Sequence, residues 1–157
     1  MNAYRMKPLA FPWPPLIYGV AIAAAFLLQA YFPLEVAETN MWYAWVGGGL
    51  FVVAAVVLDV WAMRTLLDCH TTILPNRCST YLVTSGPYRF TRNPIYLGYT
   101  LTTAGIGLAL LNPWCIVTAI VAAAVTSLVA IRREELHLLS RFGIDFERYC
   151  NGTARWI

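Results

Sequence analysis

Four long apolar stretches dominate the chain: Leu16 to Phe32, Ala44 to Ala62, Ile95 to Leu111, and Trp114 to Ile131. Each is close to the roughly 20 residues that a helix needs to cross a hydrocarbon core of about 30 Å. Between the last two stretches there is little more than Asn112-Pro113, a turn signal with Pro ready for a first helical turn, so these two read as a tight helical hairpin. After Ile131 the pattern changes to "RREELHLLSRFGIDFERYC". Here Leu136, Leu139, Phe142, Phe146 and Tyr149 recur at steps of three or four with charges between them, which predicts a helix with one apolar face, bent near Gly143. The pattern as a whole predicts an all-α integral membrane protein: a four-helix bundle with a C-terminal helical hairpin and a cytoplasmic interfacial helix, forming one domain over residues 1–157.

Composition agrees. Of the 157 residues, 59% are hydrophobic and only 12% charged, too apolar for an ordinary soluble domain of this size. Arg5 and Lys7 precede an apolar run containing "AIAAA", which also fits a signal peptide, but everything downstream is equally membrane-like and favours a first span.

Charge sets the orientation. The segment from Pro33 to Tyr43 holds Glu35 and Glu38 and no Lys or Arg. The eleven basic residues lie at the start (Arg5, Lys7), in the middle loop (Arg64, Arg77, Arg89, Arg92) and at the end (Arg132, Arg133, Arg141, Arg148, Arg155). Because positive charge accumulates in cytoplasmic loops, four spans with both termini in the cytoplasm satisfy all of them.

Several residue types carry no clear chemistry. Gly105 and Gly107 in the third span read as helix-packing positions; Gly47, Gly48 and Gly49 read the same way, although three in a row also let a ligand approach the backbone. Cys69, Cys78, Cys115 and Cys150 form no CxxC pair and read as free thiols, and no metal site is expected. His70 and His137 read as interfacial polar residues. Asp59 falls inside the second span, where an acid is costly; a functional role and snorkelling or pairing with Arg64 stand as equal alternatives.

The densest chemistry lies in "SGPYRFTRNPIYLGY", Ser85 to Tyr99. Ser85-Gly86-Pro87 is turn chemistry, while Asn93-Pro94 supplies a cap and a first-turn Pro for the third span. The N-terminus of that helix offers unpaired N–H groups to an anion such as a carboxylate. Tyr88, Tyr96 and Tyr99 add flat amphipathic rings, and Arg89 and Arg92 fixed positive charge. An aromatic belt with a positive-inside loop would look similar. However, the hairpin returns a second charged cluster, "IRREEL", to the same face.

The block "YLVTSGPYRFTRNPIYLGY", the later "IRREELHLLSRFGIDFERY" and the closing "RWI" together resemble the isoprenylcysteine carboxyl methyltransferase and phospholipid methyltransferase superfamily of membrane enzymes, especially its short bacterial members. The resemblance covers roughly residues 71–157 and implies S-adenosylmethionine as cofactor, held at the cytoplasmic face. It implies that Tyr81, Leu82, Val83, Tyr88, Asn93, Pro94 and Tyr96 line the cofactor pocket and that Glu134 and Glu135 complete the binding set. Adjacent helix residues point about 100° apart, so we expect Glu134 to face the cofactor and Glu135 to pair with an arginine. Many relatives have His where this chain has Asn93, which leaves an amide that donates or accepts a hydrogen bond but carries no charge.

The expected activity is methyl transfer to a lipophilic or membrane-associated acceptor, a carboxylate or an amine, at the membrane of a bacterium or archaeon. A carboxylate acceptor would be oriented by Arg92 or Arg133 and needs no general base; an amine or hydroxyl must lose a proton, for which Asp59, His70 and the tyrosines are the candidates. The expected partners are the lipid bilayer and that acceptor, with no nucleic acid; the glycine-bearing faces suit packing within one chain or between two. Two other functions fit the architecture: a related membrane reductase with a nicotinamide cofactor, and a non-enzymatic module holding anionic lipid.

Overall fold

The computed structural model describes residues 13–36, 40–69 and 81–157. Arg5, Lys7, Glu38, His70, Arg77 and Cys78 lie outside the described residues, as does the start of the family-like block before Tyr81. The elements are α1 (Trp13–Tyr31), α2 (Met41–Asp68), a 3-10 turn (Gly86–Arg89), α3 (Pro94–Ala109), α4 (Pro113–Thr126), a π turn (Ser127–Ile131), α5 (Arg132–Phe142) and α6 (Ile144–Gly152). No strand occurs among the described residues, which have one isolated bridge, Thr91 with Ala154.

Three helical stretches are long and apolar enough to cross a membrane: Trp13–Tyr31, Met41–Asp68, and Pro113–Phe142, in which α4 and α5 run on through the π turn. The other expected span is a shorter helix, α3, of 16 residues, about 24 Å at the usual helical rise. It stops early because Leu110 and Leu111 turn the chain: Leu111 has φ 51°, and the Asn112 N–H donates to Gly107 O at 2.8 Å. The Asn112 side chain accepts from Trp114 N–H and so caps α4 as the sequence suggested.

Helix α2 is longer than expected. It continues past Ala62 to Asp68, and this extension receives the 3-10 turn: Gly86, at φ 59°, has no room for a Cβ beside Thr65.

Packing runs from α2 to α3, from α3 to α4, and from α4 to α1. Close approach of α2 and α3 depends on small residues. A Cβ on Gly48 would strike the Ala109 backbone, and one on Gly105 would meet Val52, whereas a Cβ on Gly47 or Gly49 would meet nothing within 4 Å among the described residues. This supports the packing reading for Gly48 and Gly105, not for Gly47 and Gly49, and matches the small-residue interfaces of membrane helices. Helix α1 joins through Tyr18, whose hydroxyl lies 2.6 Å from Thr100 Oγ1 and whose ring tilts against Tyr99. Side chains such as Val20, Leu27, Val53, Val57 and Ile120 face outward, the inside-out arrangement a lipid solvent permits.

The expected bend near Gly143 is present: its φ of 52° ends α5, and α6 follows. Along α5, however, Leu136 and Leu139 are exposed and His137 is buried.

Candidate functional site

The loop before α3 is folded by its own backbone. Tyr88 N–H donates to Ser85 O, and the N–H groups of Phe90 and Thr91 both donate to Pro87 O. The C-terminal tail then fastens it. Arg92 N–H donates to Ala154 O at 3.0 Å, Asn93 Nδ2 donates to Arg155 O at 2.9 Å, Thr91 Oγ1 donates to the same carbonyl at 3.3 Å, and Tyr149 OH donates to Tyr88 O at 2.7 Å.

Asn93 therefore departs from its expected role. It occupies the cap position of α3, but its side chain makes no capping bond; instead its Nδ2 donates to Arg155 O. Pro94 starts the helix as expected, and its first turn receives no capping bond from the Asn93 side chain.

Across from this terminus stands α5. Tyr96 OH donates to Glu134 Oε2 at 3.0 Å. Glu135 turns the other way: Arg155 meets it through Nε at 3.0 Å and a terminal nitrogen at 2.6 Å, and Arg92 approaches at 3.4 Å. The two glutamates divide as helical geometry required, one with a tyrosine and one with arginines. The π turn that precedes them adds a residue to one helical turn and so sets which way both acids face. It is tied to the tail through Trp156 Nε1, which donates to Ser127 Oγ at 3.1 Å.

Two polar atoms here are buried without a hydrogen-bond partner among the described residues, Arg92 Nε and Asp59 Oδ1. The Arg92 side chain is 14% exposed. Burial, followed by the negative charge of Glu134, raises the pKa of the Tyr88 phenol and keeps it protonated; Tyr149 and Asp59 act in the same direction. Burial raises Tyr149 as well, with Arg92 opposing.

Of the residues expected at the site, Tyr88, Arg92, Asn93, Pro94, Tyr96, Glu134 and Glu135 gather around the start of α3. Val83 is buried and Leu82 half-buried on the approach to the 3-10 turn. Tyr81, 61% exposed, and Arg133, also exposed, have no contact with the cluster among the described bonds. Sequence reasoning missed Arg155, Tyr149, Trp156 and Thr91 as its fasteners. The first three lie in the "FERY" and "RWI" tails that carried the resemblance, but no spacing rule links them to Glu135, Tyr88 or Ser127.

These features define a class: a helical membrane protein with acid, tyrosine and arginine side chains collected at one helix terminus. The profile of the phospholipid methyltransferase family matches residues 42–145, well over half of the chain, and the chain belongs to that family. It is accordingly a membrane methyltransferase. The match reaches back to the start of α2, a helix that the sequence resemblance left as generic. No curated protein and no solved structure matches the chain.

Proposed function

We propose that this methyltransferase moves the methyl group of S-adenosylmethionine to a lipophilic, membrane-associated acceptor at the cytoplasmic face. The carrying observation is the Tyr96–Glu134 hydrogen bond beside an uncapped helix terminus and an unpartnered Arg92 Nε. That donor set fits the cofactor, which presents a carboxylate, an ammonium and a sulfonium beside an apolar adenosine. When bound, it supplies an activated methyl group on its sulfonium.

The residues divide the work by charge. Glu134 accepts Tyr96 OH on Oε2 and keeps Oε1 for an ammonium group. The N–H groups of the first turn of α3 and Arg92 Nε suit a carboxylate; Glu135 steadies that guanidinium from its far side. The rings of Tyr88 and Tyr96 offer π faces to a purine or a cation, and Leu82 and Val83 offer apolar wall. Asn93 holds the wall by gripping the tail. Arg133, exposed at the start of α5, meets an anionic group of an acceptor arriving from the membrane surface. Positioning of the two reactants supplies most of the acceleration.

In this reading α3 is a fourth, short crossing, both termini are cytoplasmic, α5 and α6 lie at the interface, and the membrane is the cytoplasmic membrane of a bacterium or archaeon. Calorimetry on the detergent-purified protein tests the cofactor. Saturable binding of S-adenosylmethionine is expected, weakened roughly 10- to 100-fold in Glu134→Ala, the scale of a lost hydrogen bond to a charged group. A folded wild type that ignores S-adenosylmethionine and binds a nicotinamide dinucleotide or anionic vesicles instead overturns the reading in favour of a reductase or a lipid module.

A further inference from the structure

Asp59 is the acid this site has not yet used. It lies in α2 and is 8% exposed, and its Oδ1 is buried with no hydrogen-bond partner among the described residues. Pairing with Arg64 does not occur: Arg64 is exposed and forms no ion pair with Asp59 among the described residues. An ionisable side chain inside a membrane helix is expensive, and one left without a partner marks a place where something else is meant to pair with it.

The surroundings indicate where that place is. Asp59 lies against Gly98, one turn into α3, and a Cβ on Gly98 would collide with the carboxylate. That contact gives a physical reason for the glycine closing "NPIYLG". Asp59 and Glu134 both act electrostatically on the Tyr88 phenol, and Asp59 acts also on Tyr99. Two carboxylates from two helices, α2 and α5, thus both act on the tyrosine of the 3-10 turn that leads into α3, and Asp59 touches α3 itself at Gly98. Glu134 is engaged by Tyr96; Asp59 Oδ1 has no hydrogen-bond partner among the described residues.

We propose that Asp59 accepts the proton of the methyl acceptor, which therefore offers an atom that carries one, an amine nitrogen or a hydroxyl oxygen rather than a carboxylate. The proposal rests on the methyl-donor reading above. The acceptor's N–H or O–H donates to the Asp59 carboxylate, which fixes the lone pair toward the methyl carbon. As the bond from that nitrogen or oxygen to the methyl carbon forms, the carbon–sulfur bond breaks and its electron pair stays on sulfur, neutralising the sulfonium. The acceptor proton passes to Asp59, leaving a methylated acceptor, a thioether and a neutral carboxylic acid. Tyr88 is unsuited to this task, because burial and the charge of Glu134 hold its phenol protonated.

The test uses wild type and Asp59→Asn, an isosteric change, in proteoliposomes, with a long-chain primary amine and the matching long-chain alcohol and carboxylic acid as probes. Asp59→Asn is expected to bind S-adenosylmethionine as wild type does and to bind the amine at least about 5-fold more weakly. It should lose roughly 100-fold or more of methyl transfer to the amine, the usual scale for a general base. Gly98→Ala, which displaces the carboxylate without removing it, is expected to show the same split between donor binding and transfer. Transfer by Asp59→Asn within about 3-fold of wild type overturns the proposal. Wild-type transfer to neither the amine nor a matching long-chain alcohol, whether or not the carboxylic acid is methylated, also overturns it. Loss of donor binding in a folded Asp59→Asn places Asp59 on the cofactor and overturns it too, while wild-type protein that never binds S-adenosylmethionine sinks the underlying reading instead.

Discussion

At the residue scale, the division of labour between Glu134 and Glu135 decides the site. Both acids were legible as a pair, and helical geometry alone separated them; what the sequence could not show was which arginine takes Glu135. Arg155 does so with two nitrogens, from far down the chain. Arg155→Ala is therefore expected to free Glu135 to compete for Arg92 and to weaken S-adenosylmethionine binding about 3- to 10-fold, readable by calorimetry. Unchanged affinity would mean that the tail holds nothing the cofactor needs. Asn93 shows the same limit. An Asn before a Pro reads as a cap from local sequence, but its Nδ2 donates to the Arg155 carbonyl, 62 positions away, and its side chain does not cap.

At the element scale, the helix boundaries with chemical punctuation were readable and the others were not. Pro94, Pro113 and Gly143 mark real starts and ends. The extension of α2 to Asp68 carries no stop signal in its sequence, because Met63 to Leu67 continues a helix as readily as it leaves one. The π turn at Ser127–Ile131 had no sequence mark either, and its tie to the tail, Trp156 bonding Ser127, spans distant parts of the chain. Two substitutions examine elements rather than chemistry. Gly143→Ala places a side chain at φ 52°, ψ −122°, with open space around it, and is expected to cost about 1–2 kcal/mol in detergent unfolding through backbone strain alone. Gly48→Leu is expected to destabilise the protein by about 1–3 kcal/mol by forcing α2 away from Ala109, whereas Gly47→Leu, facing open space, should leave the unfolding midpoint almost unchanged.

At the scale of the whole molecule, the all-helical membrane character was plain from hydropathy, and the family from motifs spread over the C-terminal half. The arrangement that makes a site of them was not. It requires α2 to bring Asp59 to Gly98, the hairpin to return α5 to the start of α3, and the tail to fasten the loop between α2 and α3. Each of these is a contact between distant parts of the chain, set by packing in three dimensions. As proposed above, this assembly moves a methyl group into the lipid phase. The most direct test is transfer of label from methyl-labelled S-adenosylmethionine into a membrane lipid extract, catalysed by the purified protein in proteoliposomes, with Glu134→Ala alongside. Lipid-soluble label is expected from wild type, with at least about 10-fold less from the variant. Folded wild-type protein that leaves the lipid phase unlabelled, or a variant that labels it equally well, would contradict it.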